Sequence, residues 1–126
     1  MKRHWVTRDI AAPPGVLWRL LVDTDRWSDW GPTVRAVELD APCLSSGSRG
    51  RVQTAVGLWV PFEITRFEEG RAWSWKVGGV PATEHTVEAV NELNCRVAFG
   101  APWVATPYLA VCLIALGRLD RLAHAT

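Results

Sequence analysis

PFEITRFEEGRAWSWKVGGVPATEHTV, residues Pro61–Val87, is the stretch that decides the fold. It reads as three consecutive antiparallel strands. The middle one places Trp73, Trp75 and Val77 on one face and Ser74 and Lys76 on the other, the period-two alternation of a half-buried strand. Two tryptophans at that spacing present a wide apolar surface that needs a thick core or a ligand to cover it.

The turn at Glu68-Glu69-Gly70 sets which side chains meet those tryptophans. Even parity brings Phe62 and Ile64 beside Val77 and Trp75, with Glu63 across from Lys76. A three-residue loop with Gly70 in the left-handed region instead brings Glu63 and Thr65 beside the tryptophans. Turn chemistry favours the three-residue loop and packing favours even parity. A four-residue loop satisfies both, and even parity is the expectation. The segment Gly78-Gly79-Val80-Pro81-Ala82 reads either as a lid over a cavity mouth or as a plain hairpin loop.

Downstream, Thr83–Val90 and Leu93–Phe99 form a further pair of strands about Asn91-Glu92-Leu93. The register that avoids placing Val87 opposite Arg96 pairs Val87 with Val97, His85 with Phe99 and Glu88 with Arg96. Thr106-Pro107 then reads as the N-cap and first position of a long helix. Its apolar stripe is Tyr108, Val111, Cys112, Ala115, Leu119 and Leu122. Leu109, Leu113 and Ile114 fall off that stripe and offer a face for a homodimer.

Upstream, strands are expected over Lys2–Ile10, Thr33–Leu39, Ser48–Val56 and Leu58–Glu68. After the first strand, Ala11-Ala12-Pro13-Pro14-Gly15 leads into a helix carrying Val16, Leu17, Leu20 and Leu21. Asp23-Thr24-Asp25 caps a second short helix through Trp27 and Trp30, which Gly31-Pro32 stops. The sum is an α+β chain: a curved seven-stranded antiparallel sheet, two short helices after the first strand, and a long C-terminal helix.

The 126 residues suit one domain, spanning 1–126. A net charge of +1 supplies no basic field for nucleic acid, although eight tryptophans are present. Cys43, Cys95 and Cys112 are odd in number and widely spaced, which argues against a disulfide framework or a zinc site and fits a reducing cytoplasm. No apolar run follows MKRHWVTRDI, so no signal peptide is expected. Ala101–Gly117 is uncharged, but its 17 residues include two prolines and fall short of the roughly 20 of a spanning helix. There is no G-x-S-x-G elbow, dinucleotide fingerprint or phosphate loop, and no cofactor is expected.

Ile10-x-Ala12-Pro13-x-x-Val16-x-Trp18, Asp23 and Trp27-x-x-Trp30-x-Pro32 resemble the opening of the START-like (SRPBCC) superfamily. FEITRFEEGRAWSWKVGG resembles its central hairpin, above all in the polyketide cyclase/dehydrase and lipid-transport group. The resemblance covers nearly the whole chain and implies a helix-grip fold, in which the sheet wraps the C-terminal helix around an apolar cavity. Members bind lipids, sterols, hormones or polyketides, and some catalyse cyclisation or dehydration. No catalytic set of the aromatase/cyclase kind maps onto matching positions here.

The residues expected to contact a hydrophobic ligand are Trp30, Trp59, Phe62, Ile64, Trp73, Trp75, His85, Phe99, Tyr108 and Cys112. Aromatic rows of this kind line a pocket or simply fill a core. His85 points inward. It reads either as an acid/base for a cyclisation or as a hydrogen-bonded histidine of the core or of a ligand site. The functional expectation is binding or transport of a lipid, sterol-like or aromatic polyketide ligand. The alternatives are a cyclase/dehydratase using His85 and a dimerising interaction module.

Overall fold

The computed structural model describes residues 2–125. Seven strands form one antiparallel sheet: β1 (Arg3–Ile10), β2 (Val34–Leu39), β3 (Arg49–Thr54), β4 (Trp59–Glu68), β5 (Ala72–Val77), β6 (Val80–Asn91) and β7 (Asn94–Pro102). Their spatial order is β1-β7-β6-β5-β4-β3-β2. Helix α1 (Pro14–Val22), a 3-10 turn (Thr24–Arg26) and helix α2 (Trp27–Trp30) link β1 to β2. A 3-10 segment (Trp103–Tyr108) leads from β7 into helix α3 (Leu109–Ala123). This is the helix-grip arrangement, with α2 and α3 packed on the inner face of the sheet.

Local chemistry accounts for most element ends. Pro14 opens α1, where its missing N–H costs nothing. The Asp23 carboxylate accepts the Asp25 backbone N–H at 3.1 Å and caps the 3-10 turn. Thr106, expected to cap the last helix, instead donates its hydroxyl to the Trp103 carbonyl at 2.6 Å. Ala105 is non-helical there, Pro107 lies inside the 3-10 segment, and α3 starts only at Leu109.

The β4–β5 hairpin combines both sequence readings. Phe62 pairs with Val77, Glu63 with Lys76 and Ile64 with Trp75, the even parity that packing demands. Yet Glu68 pairs with Ala72, so the turn holds three residues, with Gly70 at φ +78°. A bulge at Thr65 absorbs the odd residue between the two registers. The four-residue loop is therefore replaced by a three-residue turn plus a bulge. Gly70→Ala is expected to cost about 1–2 kcal/mol, because a Cβ is strained in the left-handed region. A urea unfolding midpoint that does not move would refute this.

Gly78-Gly79-Val80-Pro81-Ala82 forms the tip of the β5–β6 hairpin. Gly78 and Gly79, at φ +61° and +77°, make a two-residue turn, and β6 begins directly at Val80. Pro81 is tolerated because β7 pairs with β6 only from Glu84 onward, so this end of β6 has one neighbour. Arg3 bridges the gap, donating to the carbonyls of Ala82 at 2.6 Å and Gly100 at 3.2 Å.

In the β6–β7 hairpin His85 pairs with Phe99, Val87 with Val97 and Glu88 with Arg96, as expected. The Arg96 guanidinium, however, turns to Asp9 on β1 at 2.8 Å rather than to Glu88. The inner face of α3, Cys112, Ala115, Leu116 and Leu119, is buried in the core. Arg8 ties the far end of α3 to β1 through Asp120 at 2.7 Å. Residues Trp103–Ala123 are long and apolar enough to cross a membrane by length and composition alone. Leu113 and Ile114 are exposed and Leu109 is half-buried.

Candidate functional site

The interior beneath the middle of the sheet is filled from α2. Trp27 donates its indole N–H to the Leu21 carbonyl at 2.8 Å, and Trp30 donates to the Leu20 carbonyl at 2.9 Å. Both indoles are thereby fixed to the last turn of α1. The Trp27 ring stacks on Trp73 with centroids 5.0 Å apart and meets Trp75 and Phe62 at an angle. Phe62, Ile64 and Trp73 are at most 4% exposed.

Phe62 and Ile64 are thus core residues that line neither of the two inner cavities, contrary to expectation. Trp59 shares its strand parity with Pro61 and Glu63 and lies on the outer face, under the Arg51 guanidinium at 4.5 Å. It too is no part of an interior pocket.

The space that remains lies toward one end of the sheet. An open chamber of about 430 Å³ is walled by Val52 and Thr54 of β3, Trp75 and Val77 of β5, Thr83 of β6, Ala101 of β7, and Thr33, Val34, Ala105 and Tyr108. Val56 and Val80 stand exposed at its rim. Behind it is a recess of about 30 Å³, bordered by Trp30, Trp73, His85, Phe99, Tyr108 and Cys112. Thr33, Val34, Trp75, Thr83 and Tyr108 belong to both. Seven of the ten anticipated side chains therefore gather at the recess, and two of them, Trp75 and Tyr108, reach the chamber.

The chamber's own walls were not singled out as ligand contacts. For Thr54 a signal exists, since it shares the inward parity of Val52. Thr83 carries one too, since it shares the inward parity of His85 on the same strand. Ala82 and Thr83 together stand opposite Trp75.

Around His85 the hydrogen bonds fix one tautomer. Trp75 Nε1 donates to Thr83 Oγ1 at 3.1 Å. The Thr83 hydroxyl then gives its own proton to His85 Nε2 at 2.9 Å. The Trp73 carbonyl only accepts, so His85 Nδ1–H donates to it at 3.3 Å. Trp73 and Phe99 sandwich the ring, with centroids 3.9 and 4.8 Å away. Burial in these apolar surroundings pushes the imidazole down to about 3, against the partial help of the Trp73 carbonyl. Burial also raises the Tyr108 phenol, whose hydroxyl hydrogen-bonds Thr33 Oγ1 at 2.7 Å.

Among the described residues two buried polar atoms have no hydrogen-bond partner: Oγ1 of Thr54, a residue of the chamber wall, and Nε1 of Trp73, a residue that borders the recess. Among the described residues no three His, Cys, Asp or Glu side chains converge as a metal site would require.

The sequence profile of the polyketide cyclase/dehydrase and lipid transport family matches residues 2–114. The chain belongs to this family. Solved structures with the same fold include XoxI from Bacillus cereus, at TM-score 0.76 and 13% identity, covering 99% of this chain and 97% of that one. The di-domain ARO/CYC protein BexL matches at TM-score 0.74 and 14% identity over 96% of this chain. DynU16, from the dynemicin biosynthetic locus, matches at 0.71 and 21% identity over 99%. This family member spans 46% of BexL and 48% of DynU16. No curated protein matches it in sequence. The family match supports a hydrophobic-ligand-binding fold, and the solved structures share the fold itself.

Proposed function

We propose that the protein binds or carries a hydrophobic small molecule, a lipid, a sterol-like compound or an aromatic polyketide, in the chamber between the sheet and the start of α3. The observation that carries this reading is the apolar chamber of about 430 Å³, open to solvent in a molecule whose centre is otherwise filled by Trp27. That volume lies within the range of small-molecule sites. The origin of DynU16 in the dynemicin biosynthetic locus and that of the di-domain ARO/CYC BexL in a biosynthetic pathway favour a polyketide among these classes. Three free cysteines support a reducing, cytoplasmic setting.

The cyclase reading loses its base. A catalytic base works best with a pKa near the working pH, and His85 is held near 3 with both ring nitrogens engaged.

Ala105 is half-buried on the chamber wall, outside the core. Ala105→Trp is expected to fill the chamber and weaken the tightest ligand of a fatty acid, sterol and aromatic ketone panel by about tenfold or more, with little change in Tm. Isothermal titration calorimetry measures this. An Ala105→Trp protein that binds like wild type would move the site elsewhere, and a wild-type protein that binds no member of the panel would end the reading.

A further inference from the structure

The chamber's chemistry narrows its ligand, given the reading that the chamber is a binding site. Among the described residues, none that lines the chamber carries a charge. At the recess the sole ionisable side chains are His85, Tyr108 and Cys112, all neutral at pH 7. Arg35 lies beyond the rim beside Gly57, and Arg3 is a second cation at this end of the sheet. It lies behind Ala82 and spends its guanidinium on the Ala82 and Gly100 carbonyls.

What the walls offer instead is neutral hydrogen bonding. Thr54 Oγ1 has no partner, and the hydroxyls of Thr33 and Tyr108 bond each other. At the recess, Trp73 is 0% exposed and its indole N–H, a donor only, is unpartnered. A buried donor left without an acceptor is destabilising. The recess of about 30 Å³ has room for one or two water-sized groups. Trp73 borders the recess, so this unpartnered donor belongs to one of its walls.

We propose that the ligand is uncharged and carries a carbonyl or hydroxyl oxygen, with its apolar body in the chamber and that oxygen in the recess against Trp73 Nε1. A carboxylate or ammonium group carried to the same place finds no counter-charge, and burying an unpaired ion is far more costly than burying a ketone. The protein therefore selects neutral polyketide-like or alcohol-bearing lipids over free fatty acids.

One ring system, bare and with three polar ends, tests this: naphthalene, 2-acetylnaphthalene, 2-naphthoate and 2-naphthylmethylammonium. They are titrated calorimetrically into the intact protein at pH 7.5. The ketone is expected to bind about tenfold or more tightly than either ion. It is also expected to exceed naphthalene by about fivefold, the net worth of one hydrogen bond. In nitrogen-15 spectra the Trp73 indole signal shifts with the ketone and stays in place with naphthalene. An ion that binds as tightly as the ketone overturns the neutral selectivity and leaves the chamber reading intact. A ketone no better than naphthalene, with an unmoved Trp73 signal, overturns the recess contact. Failure of all four to bind overturns the chamber reading and this inference together.

Discussion

Between pH 7.5 and pH 4.5 the protein is expected to lose about 2–3 kcal/mol of stability through His85 alone. The folded imidazole titrates near 3, and the unfolded one near the ordinary 6.5. The unfolded state therefore takes up the proton first as the pH falls. Stability is full above pH 6.5 and declines toward pH 3, by about 1.4 kcal/mol per unit within that window. Two other groups bear on the slope. Asp9, held low mainly by its hydrogen bond to Arg96, loses its contribution at pH values below the chosen window. His124 is raised, because its ring faces the carbonyls of Asp120 and Ala11, and it acts in the opposite sense from an exposed position. Urea unfolding across this range measures the slope, and His85→Gln isolates the histidine's share. The variant is expected to flatten the curve whatever its absolute stability. A His85→Gln protein that keeps the full slope would remove His85 as the cause.

The same geometry gives His85 a structural role. Its Nε2 accepts from Thr83, and the Thr83 oxygen accepts from the Trp75 indole. Trp75 is one of two aromatic rings that reach the chamber, so a neutral His85 holds a chamber-facing tryptophan in place through one hydroxyl. Protonation at Nε2 would reverse the Thr83–His85 bond alone, because the Trp75 indole can only donate.

Much of the fold is readable in the period-two rows. Trp73, Trp75, Val77, Phe62 and Ile64 face inward as the alternation requires, and His85 meets Phe99 because the slipped register would bury Arg96. The outward position of Trp59 follows from the same alternation, since it shares parity with Pro61 and Glu63. The bulges at Thr65 and opposite Trp75 carry no sequence signal. Each shifts a register by one residue without altering composition, and the second lets Val80 pair with Val77 while His85 stays opposite Trp73. Pro81 disguises the start of β6, because whether a strand tolerates proline depends on how far its neighbour extends. The site is less legible than the fold for a related reason. An inward aromatic row shows which surface is covered and leaves open what covers it. Here the covering comes from Trp27, some 46 residues upstream of Trp73.

Trp27→Ala is expected to destabilise the protein by about 3–5 kcal/mol and to extend the chamber inward beneath the sheet. The indole is 1% exposed and touches Phe62, Trp73 and Trp75. Truncation removes its transfer free energy and leaves a cavity, because strands pinned by neighbours on both sides cannot close over the gap. It also deprives the Leu21 carbonyl of its donor. Domains of this size are stable by about 5–15 kcal/mol, so the variant stays mostly folded at room temperature while its Tm falls by about 10–20 °C. Trp27→Phe keeps most of the ring and loses less. The functional consequence runs opposite to the stability effect. With the plug removed, Phe62 and Trp73 become chamber walls, and ligands too long for about 430 Å³ gain affinity relative to short ones. Urea unfolding together with calorimetry on a ligand length series separates the two effects. A Trp27→Ala protein melting within a few degrees of wild type, with an unchanged length preference, would mean that the indole does not fill the interior that the sheet encloses.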